Sequence, residues 1–244
     1  MKEKINEALK SLKEALRLRG KDKEKDKLSK EEWLKREAVD WIVSIAIAVI
    51  IYFIALPAVL GTSSPMVVVS SCSEQPHLNI GNVIILQGTS MENVKAPTLE
   101  VGNSFNYTYN EVEKTLFING RKLEKNTSND IVVYYANPTR AQIIHRALMK
   151  LNTTQGTYLL TQGDANDLPD QVTSRKIDGK RRMCISSNPR DCISTPITEE
   201  MIAGKKIGWR IPLAGHFKLF FCDIFPLCDG HANLGTNYEY KLTC

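Results

Sequence analysis

The chain is expected to be mainly β, with an antiparallel sheet or barrel-like domain behind one N-terminal transmembrane helix. Residues 41–60, WIVSIAIAVIIYFIALPAVL, carry no charge, and about 20 apolar residues suffice to cross a bilayer as a helix. After them come MVVVS, NVIILQ, TLFING, DIVVYY, QIIHRAL and TYLLTQG, short β-branched or aromatic runs separated by Gly, Asn and Pro. The long crossover helices of a doubly wound α/β fold are missing from the pattern.

Residues 1–40 precede the span and are expected to be a charged, helical, cytoplasmic segment. Ile5, Leu9, Leu12 and Leu16 fall at i, i+4, i+7 and i+11, one apolar helical face suited to a lipid surface, a partner, or simply a solvated helix. GKDKEKDKLSK, residues 20–30, alternates charge and reads as a linker or extended helix. The 244-residue chain has a net charge of +5, but much of its Lys and Arg lies in residues 2–36, interleaved with Glu and Asp. No dense basic patch forms, so nucleic acid is not an expected partner.

The apolar run is too long, and its charged flank far too long, for a cleaved signal peptide. Basic residues ahead of the span place the N-terminus in the cytoplasm and everything after Gly61 outside. The six cysteines agree: Cys184/Cys192 and Cys222/Cys228 form two close pairs suited to disulfides in an oxidising compartment, and neither pair has zinc-site spacing. Sequons stand at Asn106, Asn126 and Asn152. In the external part, Asn119-Gly120 signals a tight hairpin. The external domain is expected over residues 61–222, with added hairpins or a small cap near 88–129 and 172–203, and a polar tail over 223–244. No cofactor or metal is expected.

Chemistry enters with SCSEQPHLNIGN, residues 71–82. If this stretch is extended, Ser71 and Ser73 share one face, while Cys72 and Glu74 point to the other. One serine would attack and the second hydroxyl would assist the oxyanion; Cys72 is the alternative nucleophile. Serine needs a base, and of four histidines His145, embedded in AQIIHRALM, would be held most rigidly, although such a residue read alone is structural. LLTQGDANDLPDQV, residues 159–172, supplies Asp164, Asp167 and Asp170. Alone it is a turn, or a calcium-like loop lacking its final Glu. Each piece is weak by itself; the order Ser, His, Asp after a membrane span gives them weight.

In that order the pieces resemble the type I signal peptidases, in the archaeal and endoplasmic-reticulum branch. SCSEQPHLNIGN resembles the S-x-S-M-x-P-T-(x)3-G-D box. IIHR resembles the box in which His replaces the general-base Lys of most bacterial enzymes. LLTQGDANDLPD resembles T-K-G-D-N-N-(x)3-D, and WRIPLAGH resembles a later strand box. The resemblance implies Ser73 as nucleophile, Ser71 completing an oxyanion hole with the Ser73 N–H, and His145 as general base. It implies Asp170 as the acid that orients the base, with Asp164 the second candidate. The implied activity is removal of signal peptides from translocated preproteins by a bilayer-anchored serine endopeptidase, with the translocation machinery as a further partner. Six positions depart from the boxes: Cys72, Glu74, His77, Asn82, Gln162 and Ala165 stand for Gly, Met, Thr, Asp, Lys and Asn. Glu74 motivates the alternative of an inactive binding or scaffold subunit, and extended geometry would turn its charge away from Ser73.

Overall fold

The structure, a computed structural model, describes residues 30–137, 140–185 and 191–224. The amphipathic face expected over residues 1–19, Cys228, Cys244 and nearly all of the expected tail lie outside the described residues. The chain divides into two units, Met1–Ala55 and Leu56–Cys244.

In the first unit, helix α1 (Lys30–Ile50) runs into a π-helical turn, Ile51–Ala55; the short α2 (Leu56–Leu60) opens the second unit. Helical residues Glu32–Leu60 contain a window of mean hydropathy 2.8. This is one helix long and apolar enough to cross a membrane. Its Ile, Val and Phe side chains are open around the helix instead of forming one buried stripe. A helix apolar on all sides suits lipid better than water.

The second unit is mainly antiparallel β-sheet. Among the described residues ten strands form: β1 (Met66–Val68), β2 (Val83–Gln87), β3 (Thr98–Glu100), β4 (Tyr107–Asn110), β5 (Thr115–Ile118), β6 (Arg121–Lys122), β7 (Ile131–Tyr135), β8 (Gln142–Thr153), β9 (Gly156–Gln162) and β10 (Ile202–Ile211). Helix α3 (Ala214–Ile224) follows. Seven strands make one sheet in the order β1-β2-β10-β7-β8-β3, with β9 also paired to β8. Only the β3–β8 pairing is parallel among these ladders. β4, β5 and β6 form a separate meander within the region expected to carry added hairpins. Its Asn119-Gly120 turn has φ of 49° and 76°, and Ile118 faces Arg121 across it. Two successive positive φ values are what a two-residue hairpin needs to match strand twist.

β7 and β8 run through the middle, and burial continues over successive residues of both faces, so β7 reads as an apolar run and β8 sets His145 and Arg146 among apolar neighbours. Val132 and Tyr134 enter one core with Ala147, Leu159 and Ile197. Their neighbours Ile131 and Val133 enter another with Val67, Ile84 and Leu86. The meander covers a third, packing Leu116, Ile118 and Leu123 on Leu148, Leu151 and Leu160. A disulfide joins Cys184 and Cys192, with Cα atoms 6.4 Å apart.

Candidate active site

β8 positions the central residue. His145 lies opposite Val132, and Arg146 opposite Ile131, so the two side chains leave opposite faces of the strand. His145 is only 4% exposed. Its Nδ1 lies 2.7 Å from Asp170 Oδ2, and its Nε2 lies 2.9 Å from Ser73 Oγ. Asp170 has no exposed surface. Its Oδ2 also accepts hydrogen bonds from Tyr134 Oη at 2.8 Å and Thr161 Oγ1 at 2.6 Å. A carboxylate that collects three donors on one oxygen has no freedom to rotate away. With Nδ1 donating to Asp170, Nε2 is left to accept from Ser73.

The reason these groups meet is register. Tyr134 faces Ile143 and Thr161 faces Ala147, so Tyr134, His145 and Thr161 stand on the same face of β7, β8 and β9. The Asp170 N–H bonds back to Thr161 O at 2.9 Å, and the Ile193 and Ser194 N–H groups hold its carbonyl at 3.0 and 3.1 Å. Next to these contacts Cys184 N–H donates to Gln171 O at 2.8 Å, so both ends of the disulfide-closed loop abut the acid's backbone.

Asp164 belongs to the opposite face. Arg146 holds it by two parallel bonds, Nε to Oδ1 at 2.7 Å and Nη2 to Oδ2 at 2.6 Å. His77 Nδ1 adds a contact at 2.8 Å. The remaining guanidinium nitrogen donates to the Thr127 and Asn129 carbonyls at 3.0 and 2.8 Å. Of the two acids, Asp170 meets His145 and Asp164 organises Arg146.

Extended geometry does not hold at the serines. β1 ends at Val68, and residues 71–78 form successive turns and bends. Gln75 N–H returns to Cys72 O at 3.1 Å, Leu78 N–H to Glu74 O at 2.9 Å, and the Gln75–Pro76 peptide is cis. Ser71 Oγ still lies 3.1 Å from Ser73 Oγ, brought there by the turn and not by strand pleating. Ala165 N–H fixes Ser73 O at 2.8 Å. Cys72 is disulfide-bonded, so it is no thiol nucleophile.

Glu74 is the larger correction. It does not turn away to solvent but is 1% exposed, with Oε1 accepting the Asp164 N–H at 3.3 Å. Its Oε2 is buried without a hydrogen-bond partner among the described residues. Burial, then the Asp164 charge, push its carboxyl up to about 8 against the partial relief of His145 and Arg146. At His145, burial pulls downward, but the charge and hydrogen bond of Asp170, with Glu74 and Asp164 beyond, outweigh it and leave the imidazole raised. Burial first, and then Asp170, hold the Tyr134 phenol well above its ordinary value, which keeps it a donor.

Among the described residues, no group of three or more His, Cys, Asp and Glu could hold a metal ion. A cavity of about 590 Å³ lined by Tyr135, Arg140, Thr195, Glu200 and Met201 contains none of the relay residues. No family model matches the chain, and no curated protein matches it. The site residues that sequence reading missed are Tyr134 and Thr161. Their strand pairing with β8 is the signal that could have found them, since each lies in an expected strand beside the histidine.

Proposed function

We propose that this chain is a membrane-anchored serine endopeptidase that removes N-terminal signal peptides from translocated preproteins. The observation that carries the reading is the hydrogen-bonded relay Ser73–His145–Asp170, with spacings of 2.9 and 2.7 Å. In it, Ser73 Oγ attacks the scissile carbonyl carbon as its proton passes to His145 Nε2. The C–N bond then breaks, the leaving amine takes the proton, and a His145-activated water releases the acyl group. Asp170 orients the imidazole and stabilises its charged form. Ser71 Oγ and the Ser73 N–H are the oxyanion donors that the signal-peptidase resemblance assigns.

The apolar helix supports membrane anchorage. Its basic N-terminal flank and the Cys184–Cys192 disulfide support a cytoplasmic N-terminus with the β domain outside, where signal peptides emerge. A second reading, a binding or scaffold subunit that captures extended segments without cutting, is favoured by one observation: the buried carboxyl of Glu74 directly after the serine. Cleavage of a signal-peptide-bearing preprotein by the detergent-purified chain separates the two. Wild type should cut and Ser73→Ala should not. Cleavage surviving in Ser73→Ala would sink the assignment of the nucleophile, and a folded wild type inert across a range of signal peptides would favour the binding subunit.

A further inference from the structure

The relay does not use the carboxyl of Glu74, yet the fold buries it beside both the nucleophile and the base. Its main chain continues from Ser73, its Oε1 takes the Asp164 N–H, and the next residue along, Ala165, holds the Ser73 carbonyl. Gly163 completes this contact, since a Cβ there would stand 2.5 Å from Ser73 O and 2.9 Å from His145 Nε2. Gly163, Asp164 and Ala165 thus touch the nucleophile turn through one backbone contact, one side-chain contact and one close approach.

The charges around Glu74 come from every neighbouring element. β8 contributes His145 and Arg146, the loop after β9 contributes Asp164, and His77 on the same turn bonds to Asp164. Lys125, ahead of β7, and Tyr134, on β7, also feel its charge. Asp164 and Arg146 neutralise each other through their paired bonds. With Glu74 in its acid form the cluster is balanced. Ionisation leaves a second carboxylate against Asp164, with one buried oxygen that has no hydrogen-bond partner among the described residues.

We propose that Glu74 is a positioning residue of the site, a neutral carboxylic acid whose ionisation switches the nucleophile off. This rests on the peptidase reading above. A carboxylate at this place opposes the negative charge that builds on the oxyanion one residue away. It also favours the charged form of His145, so at a given pH more of the imidazole already carries a proton and is not free to accept from Ser73. Glu74 touches neither substrate nor the transferred proton; it sets the charge under which they react.

The test is single-turnover cleavage of a fluorogenic signal peptide by the full chain in detergent, from about pH 6 to pH 10, for wild type, Glu74→Gln and Glu74→Met. Wild type should show a bell, with an alkaline fall centred at about 8. At roughly pH 9 only about a tenth of such a group stays protonated, so each neutral variant should run about tenfold faster than wild type relative to its own plateau. The acid limb, which belongs to His145, should stay in place. Thermal unfolding of the same proteins over the same range supplies a readout independent of cleavage. Wild type should lose stability more steeply than either variant from about pH 6 to about 8, with no further difference in slope above that. An alkaline limb unchanged in both variants overturns the role of Glu74 while leaving the peptidase reading intact. No cleavage by folded wild type at any pH overturns the peptidase reading, and this inference with it.

Discussion

At the scale of single residues, the two acids that look alike in sequence have different work, and mutation should separate them. Asp170→Asn keeps the volume but removes the charge and puts an NH2 donor in place of one oxygen, so His145 is no longer held in the tautomer that leaves Nε2 free; cleavage by the folded variant should fall on the order of 10³–10⁴-fold. Asp164→Ala strands the buried Arg146 guanidinium, so its main cost should be stability, about 3–5 kcal/mol by denaturant titration. Equal losses of cleavage at matched folding would refute the division. His145 has its own pH signature. Its pKa is raised on folding, so the stability from its pairing is complete below about 6.5 and is lost as pH rises through the folded value. His145→Asn should therefore lose less melting temperature than wild type between about pH 6 and pH 8. Ser73 and His145 were legible in the sequence through their order and surroundings. The burial of Glu74 was not, because extended geometry was carried past Val68 into residues that turn. Strand alternation holds only while the backbone stays extended, so it assigns no face to a side chain in the turn after β1.

At the scale of elements, the strands of the site were read from β-branched composition, and each expected run became a strand. β3, β4 and most of β10 went unread: Thr98–Glu100 is too short for a period, Tyr107–Asn110 is polar, and Ile202–Ile211 is interrupted by Gly and Lys, whereas β6 is the return strand of the expected Asn119-Gly120 hairpin. The junction between β9 and the acidic loop depends on one small residue. Gly163→Ala would drive a methyl into the Ser73 carbonyl and the His145 ring. The backbone oxygen cannot swing aside as a side chain would, so the serine–histidine contact must open. Cleavage should drop at least about a hundredfold while far-UV circular dichroism stays native, in keeping with the sensitivity of reacting groups to shifts near 1 Å. Native rates in this variant would mean that the close approach is not needed.

For the whole molecule, the apolar helix makes a direct statement about partition. The chain should remain in the membrane pellet after alkaline carbonate extraction, and its release into the supernatant would remove the anchor. Orientation is testable through the sequons. Asn106 and Asn126 are exposed, whereas Asn152 Nδ2 is engaged by Glu100 at 3.0 Å within the β3–β8 ladder. Made in glycosylating microsomes with the β domain on the lumenal side, the chain should gain glycans at Asn106 and Asn126, but not at Asn152. Absence of both would argue for the opposite orientation. The long apolar helix and the sheet class were legible because they depend on composition and period. The convergence of residues 73, 145 and 170 depends on pairing between distant strands, which no local pattern encodes.

The alternation of His145 and Arg146 along β8 also bears on how the chain comes to be competent. Sliding β8 by a single residue against β7 would set Arg146 opposite Val132 in one direction, or His145 opposite Ile131 in the other, so either slip offers one of the two acids the wrong base. That acid would still face a basic group, so charge alone is a poor detector of such a misfold. Under the peptidase reading, cleavage is the stricter inspector, because only the native alignment brings a proton acceptor to the serine. A molecule that turns over has thereby certified the alignment of its central strand.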